Sequence, residues 1–319
     1  MSLPVGKDAC WEKLRRGILA HQPSVTIPAR PGGLALLAEL EERLINAPEL
    51  FSVSAFRYEQ TGLQLTIWPA YRFSRAETGY LLERCRRVAD SLVRRAGGGG
   101  DYDRALTLHD FLTRNVVYTT GSDVRLHSMV GPLTEKKAVC EGFAKAYKYL
   151  LDRSGIPCRV VSGTGWDPVN GRQEPHAWNL VCLEGHWTHV DVTYDATVRA
   201  GDVLRYDYFA LSDGEIRRDH AFRGTGLPEA PLVPGLGYYE RAGLLMPDWR
   251  ALEDHIRAGL RQGRRHFVAA LPEDMPEAGL ADRVSAAVSR ALPETGRDGT
   301  FTLHCNLSRR VFHIALESV

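Results

Sequence analysis

The sequence is short of lysine: six lysines contribute to a total of 40 basic residues, so arginine carries nearly all the positive charge. With 39 acidic residues the net charge is only +1, and no field of one sign is available to gather nucleic acid or an anionic membrane. No apolar run approaches the ~20 residues of a membrane span. The opening Met1-Ser2-Leu3-Pro4-Val5-Gly6-Lys7-Asp8 lacks the apolar stretch and small-residue cleavage pattern of an export signal. These absences point to a cytoplasmic protein with neither nucleic acid nor membrane among its partners. Cysteine is also sparse. The six, at positions 10, 85, 140, 158, 182 and 305, include no pair at metal-binding spacing, and most sit in apolar patterns typical of reduced core thiols. No disulfide is expected.

What is present is an ordinary globular composition over 319 residues, 44% of them hydrophobic, enough for two or three domains. Residues 9–22 read as an amphipathic helix with Cys10, Leu14 and Ile18 on one face. Ser24-Val25-Thr26-Ile27-Pro28 alternates as a strand, and residues 31–33 form a turn. Leu34 to Ile45 is a helix with Leu36, Leu37, Leu40 and Leu44 inward, and Pro48 closes it. Residues 51–58 and 64–68 are two strands around a loop containing Gly62. The C-terminal end repeats this order. A helix over 247–262 aligns Leu252, Ile256 and Leu260, a strand covers 266–272, and a helix from Leu280 to Leu292 is ended by Pro293. Strands at 300–305 and 311–316 follow. The match in order and spacing suggests that the two ends are a duplicated α+β module.

Between them, Thr78 to Ala96 and Asp103 to Val116 are amphipathic helices joined by the glycine run 97–100, with Asp101 or Asp103 as the second cap. Residues 117–137 read as a loop. A third helix then begins at Cys140. Phe143, Ala144, Tyr147, Leu150 and Leu151 fall on its stripe, which places Cys140 at the helix N-terminus, where the dipole favours a thiolate. Strands are expected at 157–163, 176–183 and 186–194. Glu184-Gly185 separates the last two as a two-residue hairpin turn. That turn pairs Leu183 with His186, so Trp178 faces Asp191 and His176 faces Thr193. His176 and Asp191 then become diagonal neighbours on one face. A three-residue loop would put them on opposite faces. With the cysteine helix packed on that face, a nucleophile, a base and an orienting carboxylate are assembled.

Three stretches carry a family resemblance: Ala138-Val139-Cys140-Glu141-Gly142-Phe143-Ala144, Pro175-His176-Ala177-Trp178-Asn179-Leu180-Val181, and Gly185-His186-Trp187-Thr188-His189-Val190-Asp191-Val192-Thr193. In this order they resemble the transglutaminase-like superfamily of bacterial cysteine peptidases and acyltransferases, over roughly residues 100–222. The resemblance implies an α+β fold with a papain-like core, its nucleophile helix packed on an antiparallel sheet. Cys140 resembles the nucleophile, His176 the general base and acid, and Asp191 the orienting acid. Tyr194 departs from the family, whose members often carry tryptophan there. The expected layout is a small α+β module at 1–75, the catalytic core at 76–235 and a second small module at 245–319.

The expected chemistry is acyl transfer through a thioester on a peptide or protein substrate, with no cofactor. Hydrolysis is the first reading, transamidation of protein glutamines the second, and a non-catalytic scaffold with the same fold the third. Other residues have plainer readings. His186, His189 and Asp191 do not make a metal site, because positions three apart on a strand face opposite ways. His109 and His220 read as structural partners. Trp178 reads as core, with a substrate-lining role as the alternative, and Trp166 and Trp187 stay open between the same two. Gly163-Thr164-Gly165 lacks the lysine and helix start of a phosphate loop.

Overall fold

The computed structural model describes residues 7–29, 34–167, 172–197, 203–224, 226–275, 278–297 and 299–317. The expected turn at 31–33 lies outside them, as do the side chains of Leu36 and Leu37. Contacts divide the chain into two units. The first is Met1–Val161 with Ala177–Asn179, and the second is Ser162–His176 with Leu180–Val319. Each holds one of the small end modules.

The first unit begins with α1 (Lys7–Leu19), β1 (Val25–Pro28), α2 (Leu34–Ile45), β2 (Val53–Thr61) and β3 (Gln64–Tyr71). All pairings are antiparallel, in the order β1-β3-β2. Cys10, Leu14 and Ile18 from α1 pack with Val25, Ile27, Leu40, Leu65 and Ile67 in a core of their own. Next come α3 (Arg75–Ala96), α4 (Asp101–Asn115), β4 (Val117–Tyr118), β5 (Lys137–Ala138) and α5 (Cys140–Arg153). Helix α3 starts three residues ahead of the apolar stripe because Ser74 and Glu77 close a capping box. Helix α4 is not capped by Asp101 or Asp103. Gly100 occupies the cap without a side-chain bond, and Asp101 lies in the first turn, 2.5 Å from Arg104. Nor is 117–137 wholly a loop: β4 and β5 pair in parallel across it, and residues Gly131–Glu135 form a wide helical turn.

A five-stranded sheet follows, made of β6 (Cys158–Asp167), β7 (Arg172–Leu183), β8 (His186–Val190), β9 (Phe209–Leu211) and β10 (His220–Phe222) in the order β10-β6-β7-β8-β9; the start of β6 and Ala177–Asn179 of β7 belong to the first unit and the rest to the second. Helices α6 (Val192–Thr197), α7 (Asp213–Ile216) and α8 (Tyr238–Arg241) are short. The C-terminal module follows with α9 (Trp249–Arg261), β11 (His266–Ala270), α10 (Leu280–Glu294), β12 (Phe301–Asn306) and β13 (Val311–Leu316). Its sheet runs β11-β13-β12, antiparallel throughout, so element order and strand order both match the N-terminal module. Leu252, Ile256, Leu260, Phe267, Val288 and Phe312 centre its core. Pro293 lies inside α10 rather than just after it.

Candidate active site

Cys140 is the first residue of α5, half-buried, and its helix has no side-chain cap at Val139. The first-turn N–H groups therefore carry no competing side-chain acceptor. Gly142 explains how the helix start is held. A Cβ there would sit 2.1 Å from the Leu126 carbonyl oxygen and 3.0 Å from the Ala138 Cβ. Only glycine lets the 121–131 segment run this close, and Val139 N–H donates to that same Leu126 carbonyl at 3.2 Å. Glu141, beside the cysteine, is bonded to Lys145 at 2.6 Å and His127 at 3.1 Å.

On β7 and β8 the hairpin turns at Glu184 and Gly185, with φ of 50° and 84°. Positive φ at both central residues is the signature of a tight primed turn. The Thr188 hydroxyl donates to the Val181 carbonyl at 3.4 Å, and pairing Leu183 with His186 sets these two residues opposite each other. His176 Nε2 meets Asp191 Oδ2 at 2.5 Å, so the expected diagonal pair forms. The strand does not continue to Tyr194 as expected. It ends at Val190, and α6 begins at Val192. Asp191 is the reason: its Oδ1 accepts the N–H groups of Thr193 and Tyr194, at 2.9 and 3.1 Å, as a helix cap does.

The carboxylate is thus held at both oxygens. Oδ1 is fixed by two backbone donors and Oδ2 by two imidazoles, because His220 Nε2 also reaches it, at 3.0 Å. Asp191 is fully buried. Burial opposes its charge, but the His176 charge and the hydrogen bonds from His176 and His220 outweigh it and hold the carboxyl well below the usual range. His220 passes the chain of contacts on. Its Nδ1 lies 2.7 Å from Asp219 Oδ1, and Asp219 Oδ2 accepts from the Tyr208 hydroxyl at 2.8 Å. Burial disfavours the His220 charge, yet the bonds to Asp191 and Asp219 raise its affinity for the proton above the ordinary histidine value.

Tyr194 covers this group. Its ring centroid is 4.7 Å from those of both His176 and His220, and its hydroxyl donates to the Trp166 carbonyl at 2.9 Å. Gly165 makes the room: a Cβ there would stand 2.4 Å from the Tyr194 hydroxyl and 3.3 Å from His176 Cδ2. Trp178 is 1% exposed, its indole closed in by protein atoms, while Trp166 is 43% exposed. The structure therefore brings His176 and Asp191 together and adds His220, which the sequence offers only as a structural partner. Cys140 stands in the first unit. Asn179, three residues beyond His176 on β7, donates to the Ala144 carbonyl of α5 at 2.9 Å. Ala177, Ala144 and Val160 form one apolar cluster.

Among the described residues, His176, Asp191 and His220 form a group whose donor atoms lie within 4.8 Å of one another. Two imidazoles and a carboxylate can hold a divalent metal. Here each ring nitrogen of His220 is already engaged by a carboxylate oxygen, at 2.7 and 3.0 Å, an arrangement that suits N–H donors. The donor set fits a hydrogen-bonded chain better than a ligand set.

Residues 86–192 match the sequence profile of the Transglutaminase-like superfamily. No protein of curated function matches the sequence significantly. Among solved structures, the fold is similar to a TGase, at 13% identity and a TM-score of 0.33 over 52% of this chain and 50% of that one. It is also similar to the periplasmic domain of TgpA from Pseudomonas aeruginosa, at 20% identity and a TM-score of 0.28 over 41% of this chain and 54% of that one. The chain thus spans about half the length of each. No helix of the described residues is long and apolar enough to cross a membrane.

Proposed function

We propose that this chain, transglutaminase-like over residues 86–192, is a cysteine-dependent acyl-transfer enzyme that hydrolyses peptide or protein amide bonds. Cys140 is the nucleophile, His176 the general base and acid, and Asp191 the orienting carboxylate. The observation that carries the reading is the buried His176–Asp191 bond, which commits the Nε2 proton to the carboxylate and puts the basic lone pair of the neutral ring on Nδ1.

In the forward step His176 Nδ1 takes the thiol proton as Cys140 Sγ adds to the amide carbon. The oxyanion is stabilised by the Cys140 backbone N–H at the start of α5. The C–N bond breaks, the leaving amine takes the proton from His176, and a thioester remains. Water, deprotonated by His176, then releases the acid and restores the thiol. An amine in place of water would give a new amide, which is the transamidase reading. All six cysteines are free, and Cys85 and Cys158 are buried thiols pushed up to about 12, so a reducing, cytoplasmic setting suits the chain.

Iodoacetamide labelling at pH 6–7 tests the nucleophile. Cys140 should alkylate well ahead of free cysteine, and His176→Ala should abolish the advantage. Equal rates in the native protein would rule the reading out and leave the scaffold. Ammonia release from a glutamine peptide, with and without a primary amine, separates hydrolysis from transfer.

A further inference from the structure

Asp191 is shared. In a simple triad the carboxylate serves one imidazole, but here Oδ2 takes His176 at 2.5 Å and His220 at 3.0 Å. The His176 and His220 rings are 5.4 Å apart at their centroids, close enough for the charge on one to resist charge on the other. His220 is buried, with Asp191 on one nitrogen and Asp219 on the other. An ionised carboxylate only accepts, so two carboxylates facing two ring nitrogens require both nitrogens to donate. A buried charge persists only where it is paired, and this one is paired twice.

Resting on the acyl-transfer reading above, we propose that His220 is a positioning residue held as an imidazolium. It fixes the Asp191 carboxylate toward His176, and its charge limits how strongly that carboxylate draws a proton onto His176. Asp219 supplies the counter-charge on the far side, and Tyr208 and Asn306 secure Asp219 in turn: Tyr208 donates to it at 2.8 Å, and Asn306 donates to the Tyr208 hydroxyl at 3.3 Å. The rings of Tyr194 at 4.7 Å and Tyr208 at 5.7 Å also face His220, and burial, with the charge of His220 adding to it, lowers the proton affinity of His189 on β8. His189 pairs with Asp213 at 2.9 Å, away from Asp191.

The function of such a residue is to keep the base neutral. An Asp–His pair alone stabilises the imidazolium and raises the pH at which the ring can accept a proton. A fixed positive charge on the shared oxygen offsets that, while leaving the carboxylate to set the tautomer and the ring orientation. The effect reaches His176 through the carboxylate oxygen that both rings share.

The test is a titration of the histidine ring nitrogens by NMR, from pH 5 to 9, in the full chain. Native His220 should show two protonated nitrogens through neutral pH. In His220→Gln, which keeps a donor but removes the charge, the His176 midpoint should rise by about one pH unit. In Asp219→Asn, His220 should begin to titrate within the range and the His176 midpoint should move the same way. A neutral His220 at pH 7 in the native protein overturns the proposal without any variant. An unmoved His176 midpoint in either folded variant does so as well. Iodoacetamide labelling of native Cys140 runs alongside: ordinary thiol reactivity with a shifted His176 midpoint would remove the nucleophile reading and leave the His220 relationship standing.

Discussion

His176 and His220 approach one oxygen of Asp191 from two strands, β7 and β10, that lie two places apart in the sheet. The other oxygen of Asp191 is taken by the backbone of α6, so the carboxylate has no freedom to rotate toward one histidine at the expense of the other. The position of the base is fixed through this single side chain.

Asp191→Asn should therefore act twice. An amide can turn its oxygen either to the two imidazoles or to the two backbone N–H groups, and its NH2 then opposes donors on the other side. The rate of Cys140-dependent amide hydrolysis, or of its alkylation at pH 6–7, should fall by about 10²–10⁴-fold. Loss of the helix cap should cost a further ~1 kcal/mol of stability, read as a lower urea midpoint. Unchanged kinetics in the folded variant would contradict this.

Gly165→Ala should displace Tyr194, because the new Cβ would meet its hydroxyl at 2.4 Å. The bond from Tyr194 to the Trp166 carbonyl would be lost and His176 pushed aside. Destabilisation of about 1–3 kcal/mol is expected, with a drop in activity. Tyr194→Phe removes the clashing oxygen, so the double variant should recover part of both losses. Strictly additive effects of the two changes would show that the residues do not meet.

The order of thiol labelling is the third expectation. Cys305 is exposed but its thiol is pushed up by local desolvation, while Cys140 is half-buried at a helix start. Peptide mapping over an iodoacetamide time course at pH 7 should find Cys140 modified before Cys305. Cys85 and Cys158, buried and pushed up to about 12, should react only after unfolding.

Stability should depend on pH in two opposite directions. Asp191 and Asp207 are buried, and their basic partners hold both below the usual range. A depressed carboxylate contributes stability above the ordinary value of about 3.9, and that contribution is lost as pH falls through the folded value. His220 is raised, so its contribution is complete below about 6.5 and is lost as pH rises through the folded value. Urea midpoints measured across pH should therefore show the native protein's margin over His220→Gln widest on the acid side of neutrality and shrinking above it. A margin independent of pH would contradict the charged state of His220.

Much of this was legible in the chain itself. Cys140 opens its helix where the apolar stripe places it, and the two-residue turn at Glu184-Gly185 sets the phase that joins His176 to Asp191. The β-branched and aromatic character of Val192-Thr193-Tyr194 reads as strand, while the deciding interaction is the Asp191 side chain capping the next turn. His220 was legible only as a histidine beside an aspartate. Its meeting with Asp191 depends on β10 pairing with β6, a contact far apart in sequence with no local signature. Gly165 stands in Gly163-Thr164-Gly165, which has no local signature beyond not being a phosphate loop. The space it leaves matters only once Tyr194 is folded against it.

In both end modules the strand made last lies in the middle of the sheet: β3 between β1 and β2, and β13 between β11 and β12. On the ribosome, β1 and β2, or β11 and β12, emerge with no partner strand of their own module until that final segment appears. In each module both pairings of the sheet therefore wait for that last strand. A chain cut just before Val311 would lose one strand and, with it, every strand pairing in that sheet.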